Sequence, residues 1–291
     1  MKNITVKAYA KVNIFLDILS RLENGYHSLF MIMQSVSLYD SVAVTLTDRP
    51  GIIVACSDPA IPQNEGNIAY KAASKFLDFA GISGAGVSVF IEKRIPRAAG
   101  LAGGSADAAA VIRALDMLCG TGFGELTLRK IGVSVGADVP FCLTGGTLLA
   151  QNIGEVLSPL PPLQGVTFVL AKPDSSVSTK EAFAAYDECR PWQITHPDCC
   201  AALNAAANGN FGGLWKKAGN VLEQVVEVHE RVRIKSVMRE HGCAMCQMSG
   251  SGPTVFGVFA AREKAEACAE ALREVVQEVY VCEPVRGGFE F

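Results

Sequence analysis

Residues 95–110, reading IPRAAGLAGGSADAAA, constrain this chain more than any other stretch, because they join a glycine-rich turn directly to an alanine-rich helix. Gly100, Gly103 and Gly104 permit positive φ and close approach of the backbone to another group. Beyond them Ala108, Val111, Ile112, Leu115 and Leu118 recur at helical spacing, which predicts an amphipathic helix opened by Ser105. A glycine turn feeding a helix start aims unpaired N–H groups and the positive end of the dipole at an anion. An ordinary turn with Ser105 as N-cap remains the alternative. The two commonest phosphate loops are excluded. No Gly-Lys dipeptide exists for a Walker loop, and neither Gly84-Ala-Gly86 nor Gly250-Ser-Gly252 has the third glycine of a dinucleotide fingerprint.

The remaining composition narrows the class. A chain of 291 residues, 49% hydrophobic, can bury one large core or two medium ones. No uncharged apolar run approaches the roughly 18–20 residues of a membrane span. The opening MKNITVKAYA alternates polar and apolar residues and lacks the apolar block of a secretion signal, so a cytoplasmic protein is expected. With 29 acidic against 26 basic residues, net charge −3, there is no electrostatic case for nucleic acid or an acidic membrane as partner. Ten cysteines in a long chain without such a signal read as reduced, mostly buried thiols. Cys243-x-x-Cys246 has no second such pair, and strand spacing would put its thiols on opposite faces.

Along the chain, Ile4 to Ile18 is apolar at every second position, predicting a long strand. Its other face carries Lys7, Lys11, Asn13, Phe15 and Asp17, so Lys11 and Asn13 should project together. Glu23 to Tyr26 reads as a turn and Leu38 to Leu46 as a strand. Asn67 to Phe79 reads as a helix, Val87 to Glu92 as a strand into the glycine loop, and Leu126 to Val135 as a helix stopped by Gly136. A linker is expected at Leu157 to Pro162. Beyond it come strands near 166–171, 247–249, 254–259 and 279–282, helices near 179–186 and 265–276, and a largely helical 214–240. This order suggests an α+β protein, a mixed sheet with helices on one face.

Three further clusters could join the loop. Asp138, in Gly136-Ala-Asp-Val-Pro140, could serve as a base, though alone it also suits a turn. Lys11 could offset phosphate charge or hold that carboxylate; alone it reads as a solvated strand lysine. Ser249-Gly-Ser-Gly252 offers further approachable N–H groups, or simply a hairpin turn. Together they supply the positioning, charge and proton acceptor that phosphoryl transfer asks for.

Ala10-Lys-Val-Asn13, Gly25-Tyr-His27, Gly100 to Ala108, Gly136 to Phe141 and Ser249 to Gly252 stand in the order found in GHMP-superfamily kinases, which the chain resembles over nearly its whole length. The resemblance implies a two-domain fold, with a left-handed β-α-β unit in an N-terminal domain (1–156) and a ferredoxin-like C-terminal domain (157–291). It implies ATP-dependent phosphorylation, with Mg²⁺, of the tertiary 2-hydroxyl of a cytidine-diphosphate-linked methylerythritol, a small-molecule substrate. Other GHMP substrates (homoserine, mevalonate or a sugar) and a non-catalytic binding module are the alternatives. By the same resemblance Asp138 takes the hydroxyl proton with Lys11 beside it, and Asn13, Tyr26, His27 and Phe183 hold the cytidyl end. Pro96, Gly100, Leu101, Ala102, Gly103, Gly104, Ser105, Ala106 and Asp107 cradle ATP, with Asn67 and Lys93 near the nucleotide; the metal ligand is left open. Three positions depart from the family's pattern. Ala102 and Ala106 stand where glycine and serine are common, which moves the expected hydroxyl contact to Ser105, and Met33 stands where phenylalanine is frequent.

Overall fold

The computed structural model describes residues 2–291. Strands β1 (Asn3–Arg21) and β2 (His27–Thr47) form one long antiparallel hairpin. Its turn contains Gly25 at φ 83°, a conformation glycine adopts without strain. Strand β3 (Gly51–Cys56), helix α1 (Ile68–Ala80) and strand β4 (Gly86–Glu92) follow, with α1 crossing between two parallel strands. The glycine loop then leads into helix α2 (Gly103–Cys119), followed by α3 (Glu125–Val135) and α4 (Val139–Thr144). Strands β5 (Thr147–Asn152) and β6 (Val156–Pro159) complete this part of the sheet. Strand β2 is long enough to host two partners on one edge, β5 along its first half and β4 along its last.

The second sheet begins with β7 (Thr167–Lys172) and continues through helices α5 (Thr179–Glu188), α6 (Cys199–Ala207), α7 (Phe211–Lys217) and α8 (Arg231–Glu240). Strands β8 (Met245–Met248) and β9 (Val255–Phe259), helix α9 (Arg262–Arg273) and strand β10 (Glu278–Cys282) close it. All pairs are antiparallel in the order β10-β7-β9-β8, the ferredoxin-like arrangement. The chain then returns: Glu283 and Val285 bond to Ser37 and Ser35, and β11 (Phe289–Glu290) pairs with β1 in the first sheet.

Several expectations need correction. The alternation of β1 does not separate an inner from an outer face, because every residue from Ala10 to Ile18 is buried. Helices α2 and α4 pack on one side of β1. Along its edge away from β2, Gln247 Nε2 donates to the carbonyls of Asn13 and Ile14, and Leu16 N donates to Gly219 O. The register also slips between Asn13 and Phe15, leaving Ile14 as an extra residue. A one-residue bulge reverses the faces beyond it. Accordingly the residue beyond Asn13 that reaches the cleft is Leu16, not Phe15 or Asp17.

The expected linker at 157–162 is in part strand: β6 pairs with β5 as far as Pro159, so residue 156, the expected boundary, lies within that strand. The stretch 214–240 is broken between α7 and α8 by a 3-10 turn at Val221–Gln224. Asn220 sets that turn; its Oδ1 accepts from Leu222 N and its Nδ2 donates to the carbonyls of Met248 and Gly250. All ten cysteines are free, but only Cys142, Cys268 and Cys282 are buried. Cys243 precedes β8 and so escapes its pleat, and the Cys246 thiol hydrogen-bonds Lys235 O.

Candidate functional site

Between Ile95 and Gly103 the chain takes three left-handed steps, at Ala98 (φ 46°), Gly100 (φ 74°) and Ala102 (φ 58°). They turn the backbone into α2, which starts at Gly103 and not at Ser105. Ala102 occupies the N-cap position without a side-chain hydrogen bond, and the first intrahelical bond runs from Ala106 N to Ala102 O. The N–H groups of Gly103, Gly104 and Ser105 therefore lack helical partners and are free to meet an anion.

A second glycine turn interlocks with the first. Ser249 Oγ donates to Gly100 O at 2.9 Å and accepts from Asn13 N at 3.3 Å. A Cβ on Gly100 would lie 2.2 Å from the carbonyl oxygen of Ser249, so only glycine fits there. On Gly250 it would lie 3.2 Å from Asn13 Oδ1 and 3.5 Å from Lys11 Nζ. The turn at 249–252 thus ties the second sheet to both the loop and β1.

Lys11 is buried, not solvated, and donates to Asn13 Oδ1 at 2.6 Å, as expected for side chains projecting together. Its ammonium also lies 3.6 Å from Asp138 Oδ2. Asp138 occupies the N-cap position of α4 but makes no capping bond, and its side chain remains one-third exposed. A carboxylate in that position can accept a proton from a molecule in the cleft while an adjacent cation steadies its charge.

Behind the loop sits a buried charge cluster that the sequence reading missed. Lys93 Nζ contacts both Asp40 and Asp107, the latter at 2.7 Å. Asp40 is fully buried in β2 and accepts from the backbone N–H groups of Arg94 and Ile95 at 2.6 and 2.9 Å, fixing where the loop departs from β4. Burial pushes the Asp107 carboxyl up to about 8, with the Asp40 charge adding to the effect and Lys93 opposing it. Burial opposes the Lys93 charge, yet the two carboxylates raise its pKa above the usual value. Asp107 Oδ1 is buried with no hydrogen-bond partner. The one available signal for Asp40 was a lone carboxylate in a strand that carries no other Asp, Glu, Lys or Arg.

At the far end of the cleft, His27 stacks on Phe183 with ring centroids 4.9 Å apart and 19° between planes. His27 Nε2 lies 2.7 Å from Asp187 Oδ1, whose other oxygen is 3.5 Å from Arg21 Nη1. Tyr26 beside them is exposed. Asp187 and Arg21 were not anticipated; their place follows from α5 folding over the β1–β2 turn, a contact distant in sequence.

One cleft of about 1120 Å³ joins these parts. Lys11, Asn13, Tyr26, His27, Asn67, Lys93, Pro96, Gly100, Ala102, Gly103, Gly104, Ser105, Asp107, Asp138 and Phe183 all line it. Leu101 and Ala106 do not; both are buried in the hydrophobic core. Leu101 instead accepts Lys11 N through its carbonyl, tethering the loop to β1. Asn67 caps α1 by accepting from Ala69 N and donates to Pro62 O, so its side chain is already committed to holding the cleft wall. Among the described residues no group of three or more His, Cys, Asp or Glu side chains could hold a metal ion. No helix among them is long and apolar enough to cross a membrane.

The model of the GHMP kinases N terminal domain matches residues 67–146, and that of the GHMP kinases C terminal domain matches 206–278. The chain is 42% identical to the 4-diphosphocytidyl-2-C-methyl-D-erythritol kinase of Clostridium acetobutylicum, over 97% of this chain and 100% of that one. Identity is again 42% to the enzyme of the same name from Acetivibrio thermocellus, over 98% and 100%. A solved structure of 4-(cytidine 5'-diphospho)-2C-methyl-D-erythritol kinase superposes with TM-score 0.78 at 34% identity, covering 98% of this chain and 100% of the other. A homoserine kinase from Cytophaga hutchinsonii reaches TM-score 0.81 at 20% identity, covering 100% and 98%, and shares the fold.

Proposed function

The chain belongs to the GHMP kinases, small-molecule kinases that use ATP, and from that premise we propose that it phosphorylates the 2-hydroxyl of 4-diphosphocytidyl-2-C-methyl-D-erythritol, a cytoplasmic step in making isoprenoid precursors. The observation that carries the reading is the arrangement of Asp138, Lys11 and Asn13 opposite the free amides of residues 103–105, in a cleft whose other end is lined by aromatic rings and His27. In this reading the N-terminal domain (residues 1–156, with β6 and β11 added to its sheet) holds the nucleotide, and the C-terminal domain supplies Phe183 and the 249–252 turn.

The ATP phosphates lie against the amides of Gly103, Gly104 and Ser105, with the Ser105 hydroxyl beside them. Asp138 accepts the proton of the substrate hydroxyl, and the oxygen attacks the terminal phosphorus while ADP leaves. Lys11, kept in line by Asn13, holds Asp138 and offsets the charge that builds on the transferring group. A positioned base of this kind contributes on the order of 10² to 10⁴ in rate. At the other end, Tyr26, His27 and Phe183 supply ring faces and a base-edge partner for cytosine.

Mg²⁺ fits the donor set only as a guest of the phosphates. The orphaned Asp107 Oδ1 and the Ser105 hydroxyl are hard oxygen donors at the start of α2, too few to bind it without the nucleotide. When bound, the ion neutralises phosphate charge. A panel of alcohols with ATP tests the proposal: turnover of the cytidyl substrate is expected, whereas phosphorylation of homoserine or mevalonate in its place would reject it.

A further inference from the structure

Asp187 has no part in the chemistry above, yet it is built into the cytidyl end of the cleft. It sits in the last turn of α5, one turn beyond Phe183, so the two side chains project on the same face. Phe183 stacks on the His27 ring, and Tyr186 meets that ring edge-on at 6.2 Å. The imidazole is therefore held in plane by its neighbours and in rotation by the 2.7 Å contact from Nε2 to Asp187. Arg21, from the end of β1, lies against the second carboxylate oxygen.

An ionised carboxylate can only accept hydrogen bonds. The proton of the neutral His27 ring must then reside on Nε2, and Nδ1 carries the lone pair. Nδ1 has no partner among the described residues, and His27 lines the cleft, so this nitrogen is the one left for a ligand. Cytosine and uracil differ at two positions of the pairing edge: cytosine has a donating exocyclic amine beside an accepting ring nitrogen, and uracil an accepting carbonyl beside a donating ring N–H, so an acceptor set opposite the exocyclic group separates the two.

Resting on the cytidyl reading above, we propose that Asp187 is a specificity-determining residue: by fixing the proton on Nε2 it makes His27 an acceptor that selects a base bearing an exocyclic amine over one bearing a carbonyl. It acts through His27 and touches no reacting atom, which makes it a positioning residue. Uracil would set oxygen lone pairs against a nitrogen lone pair. A site built for one hydrogen-bond pattern rejects the other because its polar group is left unpaired.

The experiment measures kcat/KM at pH 8 for the cytidine- and uridine-diphosphate-linked forms of the methylerythritol substrate, in wild type and in Asp187→Asn. Asparagine fills the same space but can donate as well as accept, so it no longer dictates the tautomer. The cytidine-to-uridine preference is expected to fall at least about tenfold, the equivalent of one hydrogen bond of about 1.4 kcal/mol. KM for ATP should stay unchanged, and Asp187→Glu should recover part of the preference. Arg21→Gln, which loosens the carboxylate without removing it, should move the ratio the same way by less and serves if Asp187→Asn fails to fold. Equal losses on both substrates, with the ratio intact, would reduce Asp187 to a structural role and overturn the inference alone. A wild type inactive on both would overturn the functional reading and this inference with it.

Discussion

Replacing Gly100 with alanine tests whether the two glycine turns act as a single unit. Gly100 sits at φ 74°, where an L-residue pays roughly 1 kcal/mol or more that glycine does not. Its new methyl group would start 2.2 Å from the Ser249 carbonyl oxygen, a backbone atom that cannot swing aside. Restoring normal contact requires the turns to part by roughly 1 Å. That movement lengthens the 2.9 Å bond from Ser249 Oγ to Gly100 O, a loss of about 1 kcal/mol. We expect the variant to be less stable by about 2 to 4 kcal/mol in urea denaturation, the sum of strain, contact and hydrogen bond. A shift of about 1 Å at the reacting groups costs up to about a hundredfold in kcat/KM. Calorimetric titration with ATP should show weaker binding, because the loop leading to the amides of residues 103–105 has been displaced. Stability within about 0.5 kcal/mol of wild type together with unaltered ATP affinity would refute the reasoning, since the turns would then separate freely.

Three more outcomes follow from the same geometry. Asp138→Asn should lower kcat by about 10² to 10⁴ with the ATP dissociation constant nearly unchanged, because the carboxylate serves the hydroxyl and not the nucleotide; parallel losses in steady-state rate and in calorimetry would make it a binding residue. Asp107, raised from 3.8 to about 8 by burial, binds its proton more tightly folded than unfolded. Its contribution to stability is therefore complete below about pH 4 and declines as pH rises through about 8; Asp107→Asn should remove that slope from a series of urea melts in metal-free buffer, and an unchanged slope would assign it elsewhere. Ala102 holds φ 58° at the N-cap of α2, so Ala102→Gly should stabilise the protein by about 0.5 to 1 kcal/mol; a lower urea midpoint would mean that the Ala102 methyl packs usefully.

The glycine loop, the Lys11–Asn13 pair and the strand–helix order were legible because each depends on near neighbours: φ freedom at Gly100, a period of two in β1, a period of 3.6 in α2. What escaped notice depends on pairing across distance. The bulge at Ile14 exists only in the register of β1 against β2, and it decides that Leu16 and not Phe15 reaches the cleft. Asp40 stands 53 residues from Lys93, and Asp187 stands 160 residues from His27; neither has a local pattern that announces its partner. Cys243 lies before β8 begins, so the alternation of that strand does not govern its side chain. At the helix start the glycines obscured the boundary: Gly103 and Gly104 accept helical angles as readily as loop angles, which moved the onset two residues before Ser105.

Strand β11 lends the first sheet its last edge from more than 280 residues beyond the β1 residues it pairs with. A fragment cut after β6 would leave the flank of β1 bare, with the peptide groups beside Lys7 and Ala8 unmatched and Tyr9 N without Gly288 O. Dissecting this protein into separately expressed halves should therefore yield a sticky first half, and adding residues 283–291 back as a peptide is the natural remedy. During synthesis the same geometry delays closure of that sheet until residues 289–290 have emerged.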